Sequence, residues 1–208
     1  MHRANGLHAL LIACTVLLLA ATTQPAEYVG KPYAGTPIAV PGVIKATEYD
    51  IAPDAKNGIT FNYNGGAKKT DLRTSKDGIG LARFGKGHET TTGEPEDPQQ
   101  TYLGWTHGGE WVKYTLHVGE AGTYAIGAHV AAGGKGGTLS FSFGPSVTTG
   151  PIEIPTTAGF RPGVEVYHVW ERLESLAAVK LDAGDVVMTV KIEKAAGFNI
   201  ESITLTKR

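Results

Sequence analysis

Apolar and polar residues alternate with a period of two along several short stretches, most clearly between residues 111 and 118. There the apolar side chains of Val112, Tyr114, Leu116 and Val118 are separated by polar ones. This period is typical of a strand with one buried and one solvent-facing side. The predicted strands are Val43–Ala46, Thr60–Tyr63, Trp111–Val118, Thr123–Val130, Thr138–Phe143, Val147–Ile154, Glu165–Trp170, Val186–Ile192 and Asn199–Leu205.

Many short strands joined by glycine-containing turns predict an all-β fold, a jelly-roll β-sandwich of two antiparallel sheets. The 28 glycines fit such a fold better than a helical one. Two regions are exceptions. Residues 171–179 are equally compatible with a short turn of helix and with a loop, and the polar, glycine-rich residues 64–103 are expected to wrap the sandwich and contribute to one rim.

The N-terminus predicts a targeting segment. An apolar run from Leu7 to Ala21 follows a weakly positive start, so residues 1–26 read as a signal peptide, with cleavage between Ala20 and Ala26 and a secreted or periplasmic product. Residues 27–41, with three prolines, are predicted to form an extended arm, and residues 42–208 the β-sandwich module.

Cys14 is the only cysteine, and it lies inside the predicted signal peptide. Lipidation at Cys14 is one alternative, but the apolar run that continues after it favours an ordinary signal. The mature chain therefore has neither disulfides nor thiolate metal ligands.

Charge and motifs exclude several function classes. A formal net charge of −1 gives no electrostatic reason to expect nucleic acid or an anionic membrane as a partner, and we expect a monomer. The seven histidines form neither HxH nor HExxH, and there is no GxSxG and no phosphate loop. A carboxylate pair for glycoside cleavage, with Glu110 and an acid of the 64–103 region, stays open as an alternative, although solvated loop acids are the simpler interpretation.

Trp105 lies just outside the alternating pattern, on a glycine-rich bend before the strand at residue 111. An indole held at a loop offers a platform for the apolar face of a sugar ring or another flat ligand. The alternative is that it packs against its own strand ends. Glu110, close to Trp105 in sequence, is included among the predicted ligand-binding residues.

Several blocks, in order, resemble the carbohydrate-binding modules of family 6 and, more distantly, those of family 35. The resemblance covers about residues 41–207. Its most specific block is Gly104-Trp105-Thr106-(x)2-Gly109-Glu110-Trp111-Val112-Lys113-Tyr114-Thr115. The others are Pro41–Asp50, Ala121–Tyr124, Thr148–Phe160, Leu181-(x)2-Gly184 and Gly197–Ile200.

The resemblance implies a module that binds polysaccharide or oligosaccharide in a cleft on the loop rim and does no chemistry. It implies that Trp105 is the first aromatic platform and that Asn199 hydrogen-bonds sugar hydroxyls. The second aromatic is Tyr167, which keeps the spacing to Asn199 better, with Phe160 as the alternative. For Trp170 we expect a packing role.

The resemblance also bears on cofactors. The family's opening and last strands usually supply carboxylates to a structural calcium ion, but these positions here are Lys45, Thr47 and Glu201. One carboxylate is a poor site for a hard cation, so we expect no metal and no cofactor, with the Lys45 ammonium beside Glu201 in place of the ion. Two other functions stay open: a small glycan-cleaving enzyme on the same fold, and a surface module that binds another protein.

Overall fold

The structure is a computed structural model, and it describes residues 27–53, 58–63, 81–83, 100–133, 136–157, 168–195 and 198–208. Stretches in which apolar and polar residues alternate form paired strands in it. The described residues form twelve strands. They are β1 (Ile38–Val40), β2 (Gly42–Lys45), β3 (Phe61–Asn62), β4 (Leu81–Arg83), β5 (Thr101–Leu103), β6 (Trp111–Val118), β7 (Gly122–Ala132), β8 (Gly137–Phe143), β9 (Val147–Ile154), β10 (Trp170–Leu181), β11 (Gly184–Ala195) and β12 (Phe198–Lys207).

The strands form two sheets of six. The first sheet has the order β1-β6-β11-β8-β9, with β3 also on β6, and the second has the order β10-β7-β12-β5-β4, with β2 also on β12. All pairs are antiparallel except β1 with β6, which is parallel. The predicted all-β sandwich is confirmed. Within the described residues, no helix is long and apolar enough to cross a membrane.

The core lies between the two sheets. On β6, Val112, Tyr114, Leu116 and Val118 are fully buried, as the alternation predicts, while the residues between them are partly or fully exposed. The second sheet contributes the apolar residues of β7 and β12 to the same cluster. A slip of β6 by one residue would exchange these side chains for polar ones, so burial fixes the register.

The expectation of a helical turn or loop over residues 171–179 is wrong, because these residues belong to β10. This strand pairs with β7 from Trp170 opposite Ala131 to Leu181 opposite Gly122. A register shift between Leu173 and Ala177 interrupts the pairing. The bulge and the edge position break the period of two, so cross-strand pairing decides the conformation where the local pattern does not.

The region 64–103 is not all loop. Strands β4 and β5 lie within it and extend the second sheet beyond β12. The remaining stretches, 64–80 and 84–99, lie outside the described residues, as do residues 165–167 of the strand predicted over 165–170 and the predicted signal peptide.

The arm before β2 is tied to the first sheet by the buried carboxylate of Asp50. The Tyr28 hydroxyl donates to Asp50 Oδ2 at 2.8 Å, and Thr115 donates to the same carboxylate from its backbone N–H at 2.9 Å and its hydroxyl at 2.6 Å. Burial, the hydrogen bond to Asp50 and the charge of Asp50 raise the pKa of Tyr28 above its usual range. The phenol therefore stays a donor.

We expect Asp50→Ala to lower the free energy of unfolding by about 2–4 kcal/mol, because it leaves buried donors on Thr115 and Tyr28 without their acceptor. Tyr28→Phe removes one of these hydrogen bonds and should cost about 1 kcal/mol. Urea denaturation of both variants measures the two values. Equal losses would show that the carboxylate does not hold the arm and β6 together.

Candidate functional site

The loop between β5 and β6 presents an exposed indole on a strained backbone. Trp105 has a φ of 50°, and it is the one non-glycine residue with positive φ in the described part of the chain. Its side chain is 39% exposed. A left-handed conformation is rare for a bulky residue and costs about 1–3 kcal/mol, so the surrounding contacts must maintain it. Strain of this kind clusters at binding sites.

Glu110 supplies part of that support from beneath the loop. It is 2% exposed, its Oε2 accepts a hydrogen bond from the His107 backbone N–H at 2.9 Å, and its Oε1 lies 3.3 Å from His107 Nδ1. The predicted ligand-binding residue Glu110 is thus placed below the loop, with both carboxylate oxygens directed at His107. Burial and the negative charge of Glu110 raise the pKa of Tyr63.

Two further hydrogen bonds fix the end of the loop. The Gly109 N–H donates to the Ile192 carbonyl at 2.7 Å, and the Asn62 side chain donates to the Gly109 carbonyl at 3.1 Å. The loop is therefore held by β11 and β3 as well as by its own residues.

Asn199 on β12 lies against the same loop. Its side chain is 7% exposed, and its Oδ1 is 2.8 Å from the position that a Cβ on Gly104 would take. Any larger residue at position 104 would collide with the amide, so Gly104 allows the close approach. The structure thus places Asn199 against Gly104, the residue before Trp105, so two of the predicted site residues lie near each other in the fold.

Behind this contact lies a cluster of rings that sequence reasoning missed. The Tyr102 hydroxyl and His168 Nε2 are joined by a hydrogen bond of 2.8 Å, and the Trp170 ring lies 5.4 Å from the rings of Tyr102 and His129, centroid to centroid. Trp170, for which a packing role was expected, is half-buried and contacts these two rings. Neither Tyr102 nor His168 follows a recognisable motif, so only their meeting in the fold identifies them.

The two candidates for a second aromatic platform, Phe160 and Tyr167, lie outside the described residues. The residue just before that segment, Thr157, is hydrogen-bonded to β7. Thr157 accepts a hydrogen bond from the Ala132 N–H at its hydroxyl and donates its own N–H to the Ala132 carbonyl, both at 2.9 Å. Ala132 is opposite Phe198, the neighbour of Asn199.

The carboxylate of Glu201 has a different partner from the one expected. A register shift between Ile200 and Ser202 places Glu201 at an irregular point of β12, and its Oε2 lies 3.2 Å from His129 Nδ1. The Lys45 ammonium is therefore not needed as the counterpart of Glu201. Burial raises the pKa of Glu201, but hydrogen bonds from His129 and Ser202 and the charge of Arg172 outweigh burial and hold it below its usual value.

Thr47, at another position where the family usually has a carboxylate, has only a hydroxyl. This hydroxyl is hydrogen-bonded to the hydroxyl of Thr101 at 3.1 Å. Among the described residues there is no group of three or more His, Cys, Asp or Glu side chains that could hold a metal ion. The donor set around Glu201 does not fit a hard cation.

Comparison with solved structures supports the fold. The chain is similar to a beta-1,3-glucan binding family 6 module from Bacillus halodurans, with 16% identity, a TM-score of 0.52 and coverage of 82% of this chain and 98% of that one. It is also similar to a family 6 module from Clostridium stercorarium in complex with cellobiose, with 13% identity, a TM-score of 0.53 and coverage of 84% and 99%.

A third similar structure is a larger enzyme, a glycoside hydrolase family 43 arabinoxylan arabinofuranohydrolase from Bacillus subtilis. The identity is 13% and the TM-score 0.56, and the match covers 83% of this chain but 28% of the enzyme. Comparison with curated proteins gave no match. The family of "Carbohydrate binding module (family 6)" matches residues 82–207, which include both Trp105 and Asn199. The chain belongs to the carbohydrate-binding modules of family 6.

Proposed function

We propose that this chain binds a polysaccharide or oligosaccharide, without cleaving it, at the rim that carries Trp105 and Asn199. The observation that carries the proposal is the approach of Asn199 Oδ1 to Gly104. The next residue, Trp105, has a left-handed backbone and an exposed indole. An exposed aromatic ring on a loop that an amide side chain contacts suits a sugar, which has an apolar face and a hydroxyl edge. The indole stacks on the face, and the amide bonds the hydroxyls.

The second side of the cleft is proposed to carry Tyr167, with Phe160 as the alternative. A glycan array tests the function. It should include β-1,3-glucans and cello-oligosaccharides, since one similar module binds beta-1,3-glucan and another is in complex with cellobiose. The proposal fails if no glycan binds while a protein partner does. That result would instead support the surface module that binds another protein.

The absence of catalysis is part of the proposal. Glu110, the one acid that the sequence offered beside Trp105, is buried under the loop and faces His107. A glycosidase needs its two carboxyl groups on either side of the scissile bond. An assay of reducing sugar release from the glycans that bind tests this point, and release above the protein-free rate would support the enzyme instead.

We further propose a secreted or periplasmic, monomeric protein that loses residues 1–26. Mass spectrometry of the exported protein, together with sedimentation, tests both. A mature N-terminus between positions 20 and 27 supports the cleavage, whereas export of the intact chain contradicts it.

We expect Trp105→Ala to remove most of the glycan affinity without unfolding the protein, because the exposed indole contributes stacking of about 1–3 kcal/mol. Calorimetric titration gives the affinity. Tyr33→Ala is the matched control, since it removes an aromatic side chain that is 40% exposed but lies on the arm. Equal affinities of wild type and Trp105→Ala would exclude Trp105 as the platform.

Asn199→Ala should also lower the affinity, because the sugar hydroxyls lose a hydrogen bond that contributes about 0.5–1.5 kcal/mol to binding. Gly104→Ala should have a similar effect through a different cause, since its new Cβ would collide with the amide. Calorimetry and thermal melting are measured together. A large loss of stability with unchanged affinity would make Asn199 a structural residue.

Calcium should not change the melting temperature. The expectation rests on Lys45 and Thr47 in place of carboxylates and on the His129–Glu201 pair, which already satisfies the remaining acid. A tightly bound ion at saturation would add several kcal/mol, whereas this pair needs none. Melting is compared in millimolar calcium and in excess chelator, and a clear rise with calcium would contradict the prediction.

A further inference from the structure

We propose that Tyr102 is a positioning residue for the glycan site, which sets the backbone of Gly104, and with it the Trp105 ring, relative to the Asn199 amide. The inference rests on the proposed function, because it concerns the same rim. Tyr102 does not touch the sugar in this proposal, since its ring is 1% exposed.

Three contacts hold the Tyr102 ring in place. Its hydroxyl is hydrogen-bonded to His168 Nε2 at 2.8 Å, and its ring meets the edges of His168 and Trp170 at centroid distances of 5.5 and 5.4 Å. Edge contacts of this type favour one ring orientation. Burial raises the pKa of Tyr102 above its usual range, so the phenol keeps its proton at any working pH.

The same ring reaches the site through Gly104. Its Cε2 lies 3.0 Å from the position of a Cβ on Gly104, and Asn199 Oδ1 lies 2.8 Å from that position. The ring and the amide thus both lie where a side chain on Gly104 would be. Pairing of Leu103 with Ile200 fixes the strands that carry the two groups.

Because close-packed groups transmit small shifts, a Tyr102 ring that loses its anchor changes the distance between the indole and the amide. A displacement of this kind weakens a site whose two groups must contact one sugar at once. His168 acts indirectly, because its hydrogen bond holds the Tyr102 hydroxyl and so the Tyr102 ring. No motif marks either residue, and the bond joins β5 to the residues that lead into β10.

The test compares Tyr102→Phe with Tyr124→Phe. Each change removes one phenol hydroxyl and keeps the ring. Tyr124 donates to the Glu120 carbonyl at 2.6 Å, near the end of β7 opposite to the one that pairs with Asn199. Kd is measured by calorimetry with the tightest oligosaccharide from the array, starting from cellotetraose and laminaritetraose.

We expect Tyr102→Phe to raise Kd about threefold to tenfold, the equivalent of one hydrogen bond, and Tyr124→Phe to leave Kd unchanged while lowering the melting temperature. His168→Leu should reproduce the loss, and His168→Gln, which keeps a hydrogen-bonding side chain, should restore part of it. Equal Kd values for wild type, Tyr102→Phe and His168→Leu would overturn the inference.

A double-mutant cycle separates positioning from a general effect. If Tyr102 acts through the Asn199 amide, the Tyr102→Phe effect on Kd shrinks to within error in an Asn199→Ala background. Full additivity would overturn the inference. The proposed function fails separately, since it requires Trp105→Ala to lose binding. Normal binding by Trp105→Ala would place the glycan elsewhere, whatever Tyr102 does.

Discussion

Burial of one apolar face from each sheet fixes the register of the central strands on which the rim depends. Tyr114 and Phe141 on the first sheet and Ile203 on the second are fully buried, and a chain with a single cysteine cannot form an internal disulfide. The hydrophobic effect is not directional, but a period of two makes it specific, because a one-residue slip would bury Lys113 instead of Tyr114. The registers of β5, β6 and β12 are fixed in this way, so the loop with Trp105 lies near Asn199.

The rim depends on a division of roles between exposed and buried groups. Trp105 is exposed and conformationally strained, at a cost of about 1–3 kcal/mol. Glu110 is buried and accepts a hydrogen bond from the loop backbone, and a bond to a charged group contributes about 1.5–3 kcal/mol. The two amounts are of similar size, so this hydrogen bond offsets part of the cost of the loop conformation.

The predicted bounds of β9 agree with the structure, although Ile154 is the only buried residue of that strand. Alternation predicted β6 to the residue, because one face of that strand is regularly buried. It failed over β10, where the bulge after Leu173 and the edge position hide the period. The resemblance assigned Trp105 and Asn199 to one site, but their contact through Gly104 depends on strands distant in sequence. The pairs Tyr102–His168 and His129–Glu201 were unpredictable for the same reason, since a bulge in β12 decides which side chains meet.

The arm explains why Trp111 is a poor platform for a sugar. Trp111 lies on the outer side of the first sheet, but the Lys113 ammonium lies 5.0 Å from its ring centroid and 5.1 Å from that of Tyr28. Burial lowers the pKa of Lys113, which agrees with an ammonium enclosed between the two rings. A sugar on Trp111 would have to displace this cation and the tyrosine that Asp50 holds. Trp105, by contrast, lies on the loop between β5 and β6 and is 39% exposed.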